Sequence, residues 1–389
     1  MHYTLKISKW KYNVKSPVVF MIDDIANIYI KNSDLLNLQV GEDWGHFGTS
    51  ENSMWDFLNK NLYSLFPYIK TTFFLVTDKR APETLGTKYT YAEAIDKDES
   101  FMSFLNMLSK DDKIEIAYHG TTHGYPTNVS FQHEWDTYES LDQAIETIEG
   151  GKTLFKKVLG NYPEGGKYCG YIKGEYGDIS INKTNFFWWC REWSDDLLKN
   201  DDSNFELKYF GSTIDIPSTV DGSNLSLKIP QMSRKYFVSI YNWFFKKNTL
   251  EKRILSLYKK RQIISIQEHS SPYRTDGRIQ YPNIIMDIEN LKYIFSLLSK
   301  LDIWYVTGIE IATYFYLYTN IEIHRTTDSF VFSFKNNVHV QEGSIITLIF
   351  EEVDSNNQIE LFMKGKRYIS YDKNGVKLID IPVYRDIPL

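Results

Sequence analysis

Short apolar runs recur along this chain with helical or loop-rich intervals between them, and several runs end on a charged or histidine residue. Such alternation is typical of a parallel sheet whose strands are joined by crossovers. In β/α folds the loops at the carboxyl ends of the strands meet at one mouth, so we expect the polar strand ends to lie together. The predicted strands are Val18–Asp24, Thr71–Thr77, Ile114–His119, Lys167–Ile172, Asn185–Arg191, Glu206–Gly211, Ile263–His269 and Ile303–Thr307.

Helical patterns fill most of the intervals between these runs. From about residue 321 apolar and polar residues alternate instead, and Asp372–Gly375 has the residues of a tight hairpin turn. Lengths and order predict an α/β fold with an irregular β/α barrel over residues 1–320 and a small antiparallel β module over residues 321–389. The predicted helices are Ser53–Leu65, Ser100–Leu108, Ser140–Val158, Arg234–Lys260, Asp287–Lys300 and Gly308–Tyr318.

Composition indicates a folded globular protein. Of 389 residues, 42% are apolar and 24% are charged, which excludes collagen-like and largely disordered chains. The formal net charge of −6 has the wrong sign for a phosphate backbone, so we expect no nucleic-acid partner. Two cysteines, Cys169 and Cys190, exclude a disulfide framework and a four-thiolate metal cluster. Neither a signal-peptide stretch nor an apolar run of about 20 residues is visible, and we expect a cytoplasmic protein.

Two adjacent aspartates, Asp23 and Asp24, end the first predicted strand directly after a run of buried-type residues. Neighbouring side chains on a strand point to opposite faces, but a turning chain at a strand end can bring both to the mouth. The pair is therefore a candidate catalytic feature. An ordinary turn or helix cap is the alternative interpretation.

Two histidines four residues apart, His119 and His123, follow the third predicted strand beside Gly120. If the chain makes one helical turn there, the two imidazoles share a face, as metal-ligand pairs do. Histidines satisfied within the core or at the surface are the alternative, but the spacing after an apolar strand favours a metal site. A later strand also ends in a histidine, His269.

The order of these elements resembles the NodB-homology polysaccharide deacetylases, carbohydrate esterase family four. The resemblance covers roughly residues 17–320. It rests on Asp-Asp after the first strand, His-x-x-x-His two strands later, an aromatic-Gly element, a Trp-rich strand and a late strand ending in histidine. It implies a distorted β/α barrel and one divalent metal, usually zinc, with nickel, cobalt and manganese as alternatives.

Carried over residue by residue, the resemblance implies that Asp24, His119 and His123 hold the metal, with Asp23 as general base and His269 as general acid. Two imidazoles and one carboxylate leave positions open for water and for a substrate carbonyl. The metal would acidify its water and polarise an acetamide. Asp23 would take a proton from the water and His269 would give one to the departing amine.

The chain departs from the family pattern in two places. Ile25 stands where the family has glycine after the two aspartates. In the family, an arginine-containing element holds the general-base aspartate. It is best matched here by Lys173–Gly177, in which Lys173 would replace that arginine as a partner of Asp23 and Tyr176 is a candidate substrate-binding residue. Lysine supplies charge but not the two-pronged contact of a guanidinium.

Further candidates lie in aromatic segments. In the Trp-rich segment, Trp189 is a candidate for substrate binding, Arg191 for a partner of Asp23, and Glu192 for the group that orients His269. Trp44, in a loop long enough to cover the mouth, is a candidate for stacking on sugar rings, with a structural loop as the alternative. Arg274, shortly after His269, could contact an anionic substrate.

Residues 236–261 alternate aromatic and basic side chains. A helix of this composition could lie on an anionic membrane surface and bring the protein to lipid-linked glycans. An outer barrel helix with a solvated basic face would show the same pattern and is the alternative.

The residues and the resemblance together predict a metal-dependent hydrolase that removes acetyl groups from an N-acetylated saccharide, with an O-acetylated saccharide as a second possibility. A role in bacterial surface-glycan synthesis is implied by the resemblance alone. A metal hydrolase of a non-sugar amide would use the same five residues. A non-catalytic glycan-binding or assembly protein is a further alternative, motivated by the altered Lys173 element and the β module. The oligomeric state is left open.

Overall fold

The computed structural model describes residues 4–29, 43–44, 51–81, 91–127, 130–191, 205–221, 250–270, 283–326, 329–335, 344–351 and 358–383. The chain forms two compact units. The larger unit comprises residues 18–301 and 305–309, and the smaller unit comprises residues 1–17, 302–304 and 310–389.

The strands are numbered in chain order. They are β1 (Thr4–Ile7), β2 (Ser16–Ile25), β3 (Ile28–Tyr29), β4 (Thr71–Leu75), β5 (Tyr91–Ala92), β6 (Ile114–Tyr118), β7 (Gly124–Pro126), β8 (Phe131–His133), β9 (Gly165–Lys167), β10 (Trp188–Cys190), β11 (Lys208–Phe210), β12 (Thr213–Asp215), β13 (Val220–Asp221), β14 (Ile264–His269), β15 (Ile303–Tyr305), β16 (Ile321–Arg325), β17 (Phe330–Phe334), β18 (Ile345–Glu351), β19 (Glu360–Met363), β20 (Lys366–Ile369), β21 (Tyr371–Lys373) and β22 (Val376–Pro382).

The helices follow the predicted intervals closely where the structure describes them. Helix α3 shows why: Ser140 caps its first turn by accepting from the backbone of Gln143, and Gly160 ends it with a φ of +84°. The helices are α1 (Met54–Leu58), α2 (Glu99–Leu108), α3 (Leu141–Leu159), α4 (Gly177–Lys183), α5 (250–259), α6 (Ile284–Leu298) and α7 (Gly308–Asn320), with a π-helical turn at Asn59–Tyr63 and 3-10 turns at Lys11–Asn13, Glu134–Thr137 and Cys169–Tyr171.

A mainly parallel sheet organises the larger unit. Its strand order is β11-β12-β10-β9-β6-β4-β2-β14-β13, and every neighbouring pair is parallel except β11 with β12. All ten residues of β2 are buried, as expected for a central strand covered on both faces. The α/β class and the parallel sheet agree with the prediction.

Closure of this sheet into a barrel is not shown. Within the described ranges its path ends at β11 on one side and at β13 on the other. The distorted barrel therefore stays a prediction. What matters for the site is that parallel strands present their carboxyl ends at one edge, and β2, β6, β9 and β14 all lie in that arrangement.

The smaller unit is built on antiparallel pairs. Its four-stranded sheet has the order β1-β18-β22-β21, and β16–β17 and β19–β20 form separate two-stranded pairs. The predicted hairpin turn joins β21 to β22, with Asn374 at φ +52° and Gly375 at φ +75°. A cluster of buried side chains around Leu348, Phe350 and Ile379 forms its core.

The smaller unit also contains residues before 321. Strand β1 pairs with β18, and Leu5 and Leu317 belong to the same buried cluster as the later strands. The boundary at residue 320 and an accessory function for residues 321–389 stay predictions. Among the described residues, no helix is both long enough and apolar enough to cross a membrane.

Candidate functional site

A β-bulge brings the two aspartates to the same place. On β2, Ile22 pairs with Phe73 and Ile25 pairs with Leu75, so β2 uses one more residue than β4 over the same stretch. Asp24 takes a φ of +72° within this irregularity. A bulge interrupts the alternation of side chains, and so two adjacent carboxylates can serve one site. Strand β2 continues through Ile25, whose apolar side chain is fully buried at this position.

One oxygen of Asp24 is the centre of the site. Its Oδ1 lies 3.0 Å from Nε2 of His123, 3.5 Å from Nε2 of His119 and 3.1 Å from a guanidinium nitrogen of Arg80. All four side chains are 0–1% exposed. Burial by itself raises the pKa of Asp24, but the charge of Arg80 and the contacts with both imidazoles hold it well below its ordinary value. Asp24 is therefore a buried carboxylate.

A buried glutamate, rather than a helical turn, brings His119 and His123 together. Gly120 and His123 take φ values of +86° and +70°, so the chain between the histidines bends instead of winding into a helix. The carboxylate of Glu134 accepts hydrogen bonds from the backbone N–H groups of Thr121, Thr122 and His123 at 2.8–2.9 Å. The condition stated for a shared face, one helical turn, is not met; the Glu134 anchor achieves the convergence instead.

The donor set fits a divalent metal. Ligand atoms bound at about 2.1 Å around one tetrahedral ion lie roughly 3.4 Å apart, close to the 3.0 Å and 3.5 Å that separate Asp24 Oδ1 from the two imidazole nitrogens. His119 Nε2 is buried without a hydrogen bond to the described residues. Its Nδ1 lies 3.2 Å from the carbonyl oxygen of Lys167, an outer contact that orients metal-binding histidines. Burial lowers the pKa of His119 and favours the neutral ring, which is the form that binds metals.

A further donor lies beside the histidines. The Cys169 sulfur and one ring nitrogen each of His119 and His123 all lie within 4.8 Å of one another. The thiol donates to the carbonyl oxygen of His119 at 3.1 Å, and burial raises the pKa of Cys169 to about 12. In this state Cys169 is a protonated neighbour of the ligand set.

The second aspartate has different partners. The ammonium of the fully buried Lys167 lies 2.9 Å from Oδ1 and 2.7 Å from Oδ2 of Asp23. Gln267 donates to Oδ2 at 3.3 Å, and Nε2 of His269 lies 3.6 Å from the same oxygen. Ser270 donates to the Asp23 backbone carbonyl. Asp23 and His269 are therefore neighbours.

The structure assigns the cationic contact of Asp23 to Lys167, not to the two residues expected from sequence. Lys173 is 57% exposed and lies 3.6 Å from Asp178, and Arg191 contacts Asp178 and Asp215. The predicted strand Lys167–Ile172 explains the difference. Strand β9 ends at Lys167, where the prediction begins, because Gly170 and Tyr171 adopt positive φ values in a 3-10 turn. Lys167 thus stands at the carboxyl end of its strand, facing the site.

The aromatic candidates have structural contacts. Trp44 is buried and its indole donates to the Asp24 carbonyl oxygen at 3.0 Å, so it supports the bulge. Trp189 is fully buried, with ring centroids 4.7 Å from Phe186 and 5.2 Å from Tyr168. These positions do not suit stacking on a substrate. Tyr176 is half-buried at the start of α4, with its hydroxyl 3.5 Å from the carbonyl of Glu139. Glu192, Arg274 and residues 236–249 lie outside the described residues.

Four site residues had no individual assignment from sequence: Arg80, Glu134, Lys167 and Cys169. Arg80 follows Asp78 and Lys79 in what looks like a solvated loop, but the loop is tied to the histidine segment by Asp78 N–H donating to Thr121 O at 2.7 Å. Glu134 is a single acidic residue in a mixed segment, with no pattern that marks it. Lys167 could have been identified from the sequence only if the end of β9 had been placed correctly.

Comparison with known proteins gives structural neighbours only. No protein-family model matches the sequence, and no curated protein sequence matches it. A probable polysaccharide deacetylase from Pseudomonas aeruginosa is 13% identical with a TM-score of 0.45, over 78% of this chain and 91% of that one. The structural neighbours include polysaccharide deacetylases. An allantoinase is 14% identical with a TM-score of 0.45, over 78% of this chain and 91% of its own. A family 4 acetyl xylan esterase from Clostridium thermocellum, solved with a cobalt ion, is 13% identical with a TM-score of 0.36, over 77% and 91% respectively.

Proposed function

We propose that this chain is a metal-dependent hydrolase that removes acetyl groups from an N-acetylated saccharide. The observation that carries the proposal is the convergence of His119 and His123 on one buried oxygen of Asp24, with a second carboxylate, Asp23, directly beside it. A carboxylate and two imidazoles that bind an ion, next to a separate proton acceptor, are the requirements of metal-assisted hydrolysis.

Asp24, His119 and His123 would hold the ion, and their mixed oxygen and nitrogen donors suit zinc, with nickel, cobalt or manganese as alternatives. When bound, such an ion activates water and polarises the carbonyl of an amide. The protein's own part is to keep the ligands in place. Glu134 does so through the backbone of the His119–His123 segment, and the Lys167 carbonyl does so through the His119 ring.

Asp23 would accept the proton of the attacking water. The ammonium of Lys167 lies within 2.9 Å of both oxygens of Asp23 and holds this carboxylate in position. His269, 3.6 Å from Asp23, would deliver a proton to the departing nitrogen. The bond between the acetyl carbon and the nitrogen breaks, and acetate and a free amine leave.

The wider setting belongs to the same proposal. A bacterial surface glycan as the natural substrate, substrate contact by Tyr176 and support of His269 by Glu192 are proposed from the family resemblance. A cytoplasmic location, contact of residues 236–261 with a membrane, substrate contact by Arg274 and an accessory function for residues 321–389 are proposed from the sequence patterns.

Acetate release by the purified, metal-loaded chain is the test of this function. We expect acetate from N-acetylated saccharides, loss of release when the metal is removed by a chelator, and recovery when zinc or cobalt is restored. O-acetylated sugars and simple acetamides complete the panel. Release from simple amides alone would identify a non-sugar amidohydrolase. A metal-loaded chain that binds glycans but releases no acetate from any of them would contradict an enzymatic function.

A further inference from the structure

Arg80 is a buried cation that the proposed reaction does not use. It lies five residues after the end of β4, its side chain is 1% exposed, and a terminal guanidinium nitrogen is 3.1 Å from Asp24 Oδ1. That oxygen is the same atom that lies nearest to His119 Nε2 and His123 Nε2. The loop that carries Arg80 is held in place by the Thr77 and Asp78 backbones, which donate to Gly120 and Thr121.

This position makes Arg80 and a divalent ion competitors for one carboxylate. A guanidinium keeps its positive charge at all pH values relevant to proteins. A charge in a buried pocket requires a partner, and Asp24 supplies it here. A divalent ion at the same oxygen would bind a carboxylate whose charge Arg80 already neutralises. The ion would also be repelled by the guanidinium, and this repulsion is strong because the buried site has a low dielectric constant. Both effects weaken binding of the ion.

We propose that Arg80 is a resident cation of the Asp24 pocket. It pairs with Asp24 and stabilises the folded site. A divalent ion held by Asp24, His119 and His123 would have to displace the guanidinium from Asp24. The metal is consequently held less tightly than the same three ligands would hold it alone, and it exchanges readily. The inference rests on the proposed metal site at Asp24, His119 and His123.

The test is the affinity for zinc and for cobalt, measured by competition with a chelator of known affinity. Arg80→Met keeps the length and the apolar stem of the side chain while removing its charge, and Arg80→Gln removes the charge with a polar side chain. Losing a group that supports metal ligands typically costs about 10- to 100-fold in affinity. Arg80 opposes the ion instead of supporting a ligand, so we expect both variants to bind more tightly by a factor of about that size. Arg80→Lys keeps the charge and should bind much as the wild type does.

Lys79→Gln is the matched control. Lys79 is the adjacent residue, is 65% exposed and has its ammonium 4.0 Å from Glu93, so its loss changes the net charge equally without touching Asp24. It should leave the metal affinity unchanged. If Lys79→Gln tightens binding as much as Arg80→Met, the effect comes from net charge and the inference is wrong.

Thermal unfolding without and with metal supplies a second readout. We expect Arg80→Met to lower the melting temperature of the metal-free chain and to regain it when zinc is added, because the ion then supplies the missing charge. If Arg80→Met folds only in the presence of zinc, the inference is supported. If it fails to fold both with and without zinc, the inference is overturned. Equal or weaker metal affinity in folded Arg80→Met would also overturn it, even if Asp24→Asn abolishes binding. If Asp24→Asn binds as the wild type does, the proposed metal site itself is wrong.

Discussion

Asp23 serves two purposes in this account, and they can be separated at the level of single residues. It is the proposed proton acceptor, and it is also the charged partner of the buried Lys167. Removing one partner of a buried ion pair leaves an uncompensated charge and typically costs about 3–5 kcal/mol of stability. A loss of activity in a single variant could therefore reflect unfolding.

The first prediction uses a double variant to distinguish the two effects. Asp23→Asn should retain metal, lose about 10²- to 10⁴-fold in kcat, and lose stability. Asp23→Asn with Lys167→Met removes both charges and should recover much of that stability without recovering turnover. Metal content, kcat and unfolding free energy are measured on all three proteins. Recovery of turnover in the double variant would show that Asp23 is structural.

The residues at the ends of the predicted strands were enough to predict which aspartates and histidines lie together, because parallel strands bring their carboxyl ends to one edge of the sheet. They were not enough to predict that Lys167 and Arg80 also lie in the site. The family resemblance put the expected cation at Lys173, which the structure places on the surface, and the predicted strand began at Lys167, where β9 in fact ends. The position of Arg80 depends on backbone hydrogen bonds between two loops, and local sequence patterns do not indicate such contacts.

At the level of elements, the histidine segment donates three consecutive backbone N–H groups to one buried carboxylate. Glu134 accepts the three backbone N–H groups of residues 121–123 and the hydroxyl of Tyr138. A glutamine at this position has only one side-chain oxygen. Its NH₂ group, which is itself a donor, would face at least one of these donors and leave it without an acceptor. Because hydrogen bonds to charged groups are worth about 1.5–3 kcal/mol each, the segment should loosen when the charge is removed.

The second prediction follows from that anchor. Glu134→Gln, which barely changes the side-chain volume, should weaken zinc affinity by about 10- to 100-fold and lower the melting temperature. Glu139→Gln, an exposed residue nearby that loses the same charge, is the control and should match the wild type. Wild-type zinc affinity in Glu134→Gln, measured by chelator competition, would show that the segment does not need this anchor.

At the level of the whole molecule, sequence patterns predicted the parallel sheet and most helices but not the composition of the smaller unit. Strand β1 is only four residues long and pairs with β18, more than 300 positions away in the chain. Local alternation cannot reveal a partner at that distance. The bulge in β2 was hidden for a related reason, because it is defined by the register with β4 and not by β2 alone.

The third prediction concerns the independence of the two units. All candidate metal and catalytic residues lie in the larger unit. Leu348→Ala, in the buried core of the smaller unit, should cost about 2–5 kcal/mol of stability while the folded protein keeps the wild-type metal affinity. Ile369→Ala, at a 45% exposed position in the same unit, should change neither quantity. Weakened zinc binding by folded Leu348→Ala would link the smaller unit to the site.

Zinc stoichiometry decides whether Asp24, His119 and His123 form a metal site. Equilibrium dialysis against zinc, followed by metal analysis, should give one ion per wild-type chain. Asp24→Asn, His119→Ala and His123→Ala should each lose that ion or bind it at least about tenfold more weakly, since each removes one of three proposed ligands. Circular dichroism on the same samples shows whether each variant is folded. Full stoichiometric zinc in folded His119→Ala and His123→Ala would contradict the account.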